Sequence, residues 1–208
     1  MPRKEAPLNQ LKTYLPEGTY EAVVYYLQHY NIHLTIARER KSILGDYRHK
    51  HRDKTHRISV NGNLNTYSFL ITLLHEIAHL LTFERFGNRV AAHGKEWKDL
   101  FGQLLQRFVQ QHAFPADIEG ALKRSLENPS ASSCADDQLM RVLRQYDEKE
   151  ENLLFIENMP PGVLFKTGDG RIFQKGEKLR KRFRCTELAT KKLYLFSPVY
   201  EAEIIEAK

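Results

Sequence analysis

The apolar positions of the chain change period several times, and each change marks a different kind of element. Val23, Val24, Leu27 and Tyr30 recur at three- and four-residue spacing after Gly18, which predicts a helix there behind a shorter one around Asn9 to Tyr14. From Ile32 the pattern switches to alternation through Leu34 and Ile36. A second alternating run, His56-Arg57-Ile58-Ser59-Val60, follows a turn signal at Gly45-Asp46. The two runs predict a small antiparallel sheet. Asn65 or Thr66 can then cap a helix from about Tyr67 to Phe86, apolar almost all round and stopped by Gly87. Another helix is predicted from about Gly94 to Gln111, with Trp97, Leu100, Phe101, Leu104, Leu105 and Phe108 on one face. A shorter one follows Pro115, from about Asp117 to Leu126.

Beyond that point the punctuation changes. Asn128 to Asp137 reads as a linker rich in Ser and Asp, and Gln138 to Lys149 as a connecting helix. Pro160-Pro161-Gly162 and Gly168-Asp169-Gly170 then separate strand-like runs at Val163 to Phe165, Leu179 to Cys185 and Leu193 to Phe196. The expected organisation is an α+β domain over residues 1–127, a linker with its connecting helix over 128–152, and a small basic antiparallel β domain over 153–208.

Composition narrows the class. With 208 residues, 41% of them hydrophobic, the chain can build its own core without staples. No stretch approaches the roughly 20 uncharged apolar residues of a membrane span, and Met-Pro-Arg-Lys-Glu leads into no apolar signal segment, so a cytoplasmic protein without membrane contacts is expected. Cys134 and Cys185 have no framework spacing, which leaves packing as their role. Between Lys166 and Lys192 ten Lys or Arg face three acids, 10 − 3 = +7, so this segment holds the whole formal excess of +6. Read as a strand, Leu179 to Cys185 puts Arg180, Arg182 and Arg184 on one face, about 7 Å apart. With Lys191 and Lys192 nearby, such a row can contact successive phosphates of DNA, or equally serve as a solvated face that discourages edge pairing.

The chemistry sits in the apolar helix. His75-Glu76-Ile77-Ala78-His79 is an HExxH pattern, and imidazoles at i and i+4 point to one side of a helix, within reach of a single zinc ion. Glu76, beside the first histidine, can take a proton from water activated by the metal and pass it to a leaving amine. Two His and a Glu among Leu73, Leu74, Ile77, Leu80 and Leu81 are costly to bury unless something satisfies them. A third ligand has to come from elsewhere. Glu84 lies on roughly the opposite side of the helix, whereas His93, four residues before Trp97, falls on the core-facing stripe of the next helix. His93 is either that ligand or a helix-start residue bonded to backbone. His112 continues the stripe about 28 Å further along the axis, out of reach of the same ion.

Leu73-Leu74-His75-Glu76-Ile77-Ala78-His79, followed by His93-Gly94-Lys95-Glu96-Trp97, resembles the SprT-like zinc metallopeptidases, which include the Spartan proteases that digest DNA-protein crosslinks. The resemblance runs from about Ile32 to Phe108. It implies one zinc held by His75, His79 and His93, with Glu76 as general base, in a zincin-like fold of a few strands against the metal helix. By the same resemblance, the strand around His56 to Val60 is the candidate edge for an extended peptide substrate. Many members carry a zinc ribbon of paired cysteines at the end, but Cys185 has no CxxC partner, so a second zinc is not expected. The resulting reading is a zinc metallopeptidase whose substrates are presented near nucleic acid. A zinc-stabilised nucleic-acid-binding adaptor is the alternative. Tyr47, Arg48 and His56 are all candidates to stabilise an oxyanion, and their spacing singles out none.

Overall fold

The structure is a computed structural model that describes residues 8–40, 43–50, 55–127, 136–148 and 152–205. Its contacts divide the chain into two compact units, Met1–Asp147 and Glu148–Lys208. Most of the segment read as a linker, residues 128–135 and 149–151 with Cys134, lies outside the described residues.

The first unit is α+β. A 3-10 turn at Leu8–Tyr14 precedes α1 (Tyr20–His29), and three strands follow: β1 (Ile32–Ala37), β2 (Gly45–Arg48) and β3 (His56–Asn61). The strand order is β1-β3-β2, with β3 parallel to β1 and antiparallel to β2. The sheet is therefore mixed, not antiparallel as its alternation suggested. The reason is that Gly45-Asp46, read as a turn, opens a strand of its own, which brings the chain back beside β3 and leaves β3 in the middle. The buried set of β3 includes Ile58 and Val60, as suits a strand paired on both sides. Hence β3, read from the sequence as the candidate edge, is the central strand, and β2 is an edge.

Four helices complete this unit: α2 (Thr66–Phe86), α3 (Lys95–Gln110), α4 (Ala116–Glu127) and α5 (Asp137–Leu143). Asn65 caps α2 by accepting from the Ser68 amide at 2.9 Å, and Gly87 ends it at a φ of 62°, a conformation that costs glycine little. Twelve residues of α2 are buried because it packs on β2 and β3 on one side and on α3 on another. α3 contributes only a stripe, Trp97, Phe101, Leu104, Leu105, Phe108 and Val109, and keeps its charged residues outside. Each large side chain fully withdrawn from water contributes about 1.5–3 kcal/mol, so α2 and its stripe partner dominate the core. The helix expected to connect the two domains is shorter than Gln138 to Lys149. It packs on α4 and sends Leu139 and Leu143 into the first core, so the division falls after Asp147 rather than near 127.

The second unit is all antiparallel: β4 (Leu153–Phe155), β5 (Leu164–Lys166), β6 (Ile172–Lys178), β7 (Phe183–Glu187), β8 (Leu193–Phe196) and β9 (Glu201–Ile205), in the order β4-β9-β5-β6-β7-β8. Phe165, Phe173, Phe183 and Cys185 make its core with Ile156, Met159 and Ala202. Cys185 is a buried free thiol.

The strand predicted over Leu179 to Cys185 starts only at Phe183. Leu179 to Arg182 is the β6–β7 turn, closed by the Leu179 amide donating to the Arg182 carbonyl at 2.7 Å. Arg180 and Arg182 therefore sit in a turn, and Arg184 alone of the three is on the strand, where it pairs with Glu177. Lys191 and Lys192 belong to the β7–β8 turn, at the other end of β7. The phosphate-spaced row of arginines does not exist, because a hairpin register outweighed a local alternation.

Candidate metal centre

The α2 helix carries His75 and His79 one turn apart on the side that faces α3. The loop before α3 supplies His93, and Trp97, one turn into α3, forms the floor beneath all three. Its ring lies 4.6 Å from that of His75, 4.7 Å from His93 and 5.3 Å from His79, centroid to centroid, and stacks on Phe101 at 5.0 Å. On this floor the imidazoles turn their Nε2 atoms toward one point. His75 Nε2 is 3.2 Å from His79 Nε2 and 3.3 Å from His93 Nε2, and the three residues form a possible metal-holding group with ligand atoms within 4.8 Å of one another.

Those separations test whether zinc fits. Zinc–nitrogen bonds of about 2.0–2.1 Å at tetrahedral angles put two ligating nitrogens roughly 3.3–3.4 Å apart. The two distances fall close to that, and three imidazoles leave the fourth direction open. Protonation agrees. Burial, then His79 and His93, hold His75 down to about 3, and burial, then His93, holds His79 down to about 4. Burial also lowers His93, the most exposed of the three. All are therefore neutral imidazoles near pH 7, the form that binds metal. The protein leaves His75 Nδ1 and Trp97 Nε1 buried without hydrogen-bond partners. Orphaned groups of this kind cost about 1–3 kcal/mol each, and a metal on the Nε2 side would partner neither of them.

Glu76 leaves the helix toward β2. A Cβ on Gly45 would come within 2.5 Å of Glu76 Oε1 and 2.8 Å of Thr72 Cγ2, so only glycine lets the strand lie this close to the carboxyl. Burial pushes Glu76 up to about 8, with Asp46 adding to the rise and Arg40 opposing it. Arg40 itself anchors the β1–β2 connection by donating to Asn61 Oδ1 at 2.8 Å and Ser59 Oγ at 2.9 Å.

Of the three oxyanion candidates, Tyr47 is the one whose ring lies on a cluster histidine, nearly parallel to His79 at 6.5 Å. Its hydroxyl shares a 2.9 Å hydrogen bond with Nδ1 of the buried His56, whose Nε2 lies 3.3 Å from Glu84. Glu84 pairs with Lys50 at 2.8 Å, away from the histidine cluster. Arg48 is exposed and pairs with Asp46. Gly45 and Asp46 are the neighbours of the site that sequence reasoning missed. Their one signal was a glycine in an otherwise strand-compatible run, which reads as a turn until the partner strand is known.

The α+β unit thus brings three convergent imidazoles together, with a buried carboxyl beside the first, in a group that could hold one metal ion. Residues 17–118 match the profile of the SprT-like family, and this segment of the chain belongs to that family. No curated protein and no solved structure gave a match. Among the described residues no helix is long and apolar enough to cross a membrane.

Proposed function

We propose that the first unit is a zinc-dependent peptidase of zincin-like build. The observation that carries this reading is the approach of His75, His79 and His93 through their Nε2 atoms at 3.2 and 3.3 Å, with the buried Glu76 carboxyl adjacent. His75, His79 and His93 would hold the metal. Zinc, when bound, supplies Lewis-acid polarisation of a carbonyl and lowers the pKa of water to about 7. Family membership supports a peptidase over other hydrolases.

Glu76 performs the proton transfers. Its carboxylate accepts a proton from the attacking water as the new carbon–oxygen bond forms, then delivers it to the amide nitrogen as the carbon–nitrogen bond breaks. In the metal-free chain its raised pKa keeps it largely protonated at neutral pH. A dication held by the three histidines would favour the carboxylate, the form in which Glu76 acts as a base. Edge strand β2 is suited to receive an extended peptide by backbone pairing, because Gly45 lies against Glu76 and Tyr47 against His79. An intact glutamate in this position is unnecessary for an adaptor in which zinc only ties helices together, which favours the catalytic reading.

Elemental analysis of the purified chain, run alongside a peptide-cleavage assay of Glu76→Gln, tests this. About one zinc per chain with cleavage lost in the variant is the expected result. Zinc-loaded Glu76→Gln that cleaves as fast as the parent would end the proposal.

A further inference from the structure

The second unit ends its sheet on β8, and this edge is unlike the guarded edges that stable proteins usually present. Such edges carry charges, prolines or bulges that discourage pairing. β8 is Leu-Tyr-Leu-Phe, with Leu193 62% and Leu195 55% exposed, among the most exposed large apolar side chains described. Its register with β7 pairs Phe183 with Phe196 and Cys185 with Tyr194, and the Glu187 amide donates to the Lys192 carbonyl in the same register. In an antiparallel ladder hydrogen-bonded pairs alternate with non-bonded ones. Tyr194 and Phe196 thus bond inward to β7, while the amides and carbonyls of Leu193 and Leu195 face the open edge.

Both faces of this edge are apolar. On one lie Leu193 and Leu195. On the other, Tyr194, Phe196 and Tyr200 line a groove whose rim includes Arg171, Arg182 and Asp169. An added strand would lay alternate side chains on the two faces in turn. The ends are basic: Lys191 and Lys192 stand at the start of β8, and Arg182 stands by its far end in the β6–β7 turn. Among the described residues none of these three side chains has an acid within salt-bridge distance, although Lys192 acts on Glu187 from further off, and the nearby acids are engaged elsewhere. Glu187 is held by Arg171 at 2.7 Å and by Thr190, Asp169 by Thr167 and Arg171, and Glu177 by Arg184.

We propose that β8 is a docking strand for an extended segment of a partner protein, acidic at its two ends and apolar at the positions between. Backbone pairing with Leu193 and Leu195 gives the hold, and the charges at the ends select the partner. The inference does not depend on the peptidase reading.

The test uses the full chain carrying Glu76→Gln, so that no cleavage interferes. The probe is a synthetic peptide of alternating Val and Phe flanked by Asp pairs, with a Lys-flanked version of the same core as its control. Expected are saturable binding of the Asp-flanked peptide, slower hydrogen exchange at the Leu193 and Leu195 amides, and at least tenfold weaker binding of the control. Leu195→Pro removes an outward amide without touching the β7 ladder, and should weaken binding tenfold or more at an unchanged melting temperature. The double variant Lys191→Glu, Lys192→Glu lies in a turn and should reverse the preference between the two peptides, which keeps the test decisive even if the proline variant unfolds. Absence of saturable binding, or binding indifferent to these variants, overturns the proposal. So does protection of the same amides by self-association without peptide, or displacement of the peptide by oligothymidylate, which would make a second copy or a nucleic acid the occupant.

Discussion

Both units bury ionisable side chains that the fold itself partners, as it does His56 in the first, but the histidine cluster is buried in another way. In the second unit Lys175 is buried, but its Nζ donates to the Met159 carbonyl at 2.5 Å and lies over the Phe183 ring at 4.5 Å. Glu187, also buried, is held by Arg171 and Thr190. Both of these groups have partners within the fold. In the first unit His75 and Glu76 are buried, the three imidazoles have mainly one another, and His75 Nδ1 has no partner at all. Satisfied burial belongs to structure, whereas three imidazoles whose Nε2 atoms meet only one another form a group that could hold an ion.

The strongest way to sharpen that contrast is Glu76→Gln. A general acid-base is worth about 10²–10⁴ in rate, so peptide cleavage should fall by that factor while zinc content and melting stay as they were. Removal of the metal comes next. Zinc at a thousand times its dissociation constant stabilises the fold that binds it by about 4 kcal/mol. Chelation, or His93→Ala, should therefore lower the melting temperature of the first unit and leave that of the second unmoved, as two-step calorimetry would reveal. A single transition that shifts as a whole would break the comparison.

Acidification separates the units further, since all nine histidines lie at or before His112. The lowered pKa values of His75 and His79 mean stability present above pH 6.5 and lost as pH falls toward about 4 and 3. Glu76 works the other way. Raised to about 8, it gives stability that is full below pH 4.5 and lost as pH climbs to 8. The clean experiment is metal-free Glu76→Gln, which should lose about 2 kcal/mol from His75 alone between pH 7 and 5, at about 1.4 kcal/mol per pKa unit. Among the described residues of the second unit, the carboxyls with shifted pKa values are Asp169 and Glu187, both lowered, and their contribution fades below the ordinary carboxylate range. Its melting should stay flat over that interval. The smallest effect is expected from Gly45→Ala. Its methyl group meets Glu76 and Thr72, and overpacking of this kind costs about 1–3 kcal/mol. Slower cleavage at full zinc occupancy is the measurement that checks it.

What the sequence disclosed follows from how far each signal reaches. The two long helices, the i and i+4 pair His75 and His79, and the buried stripe of α3 all rest on helical period, which is local, whereas His93 reaches the cluster from the loop before α3 and not from that helix's stripe. The β2 strand rests on nothing local. Gly45-Asp46-Tyr47-Arg48 is four residues long, opens with glycine and carries two charges, and becomes a strand only by pairing with β3 and packing on α2. The parallel pairing of β1 with β3 was hidden for the same reason. At Leu179 to Cys185 a local alternation misled in the other direction: Arg180 and Arg182 fit a strand pattern, yet the β6–β7 register placed them in its turn.

The cap of α2 has a practical consequence for dissecting the chain. Besides capping Ser68, the Asn65 side chain donates to the Leu143 carbonyl at 3.1 Å and to Asp147 at 2.5 Å. The start of the histidine helix is thus tethered to residues some eighty positions later, well past the segment matched by the family profile. A minimal fragment cut at residue 118 or 127 would expose the apolar seat of Leu139 and Leu143 and unfasten that tether. The shortest piece worth expressing ends after Asp147.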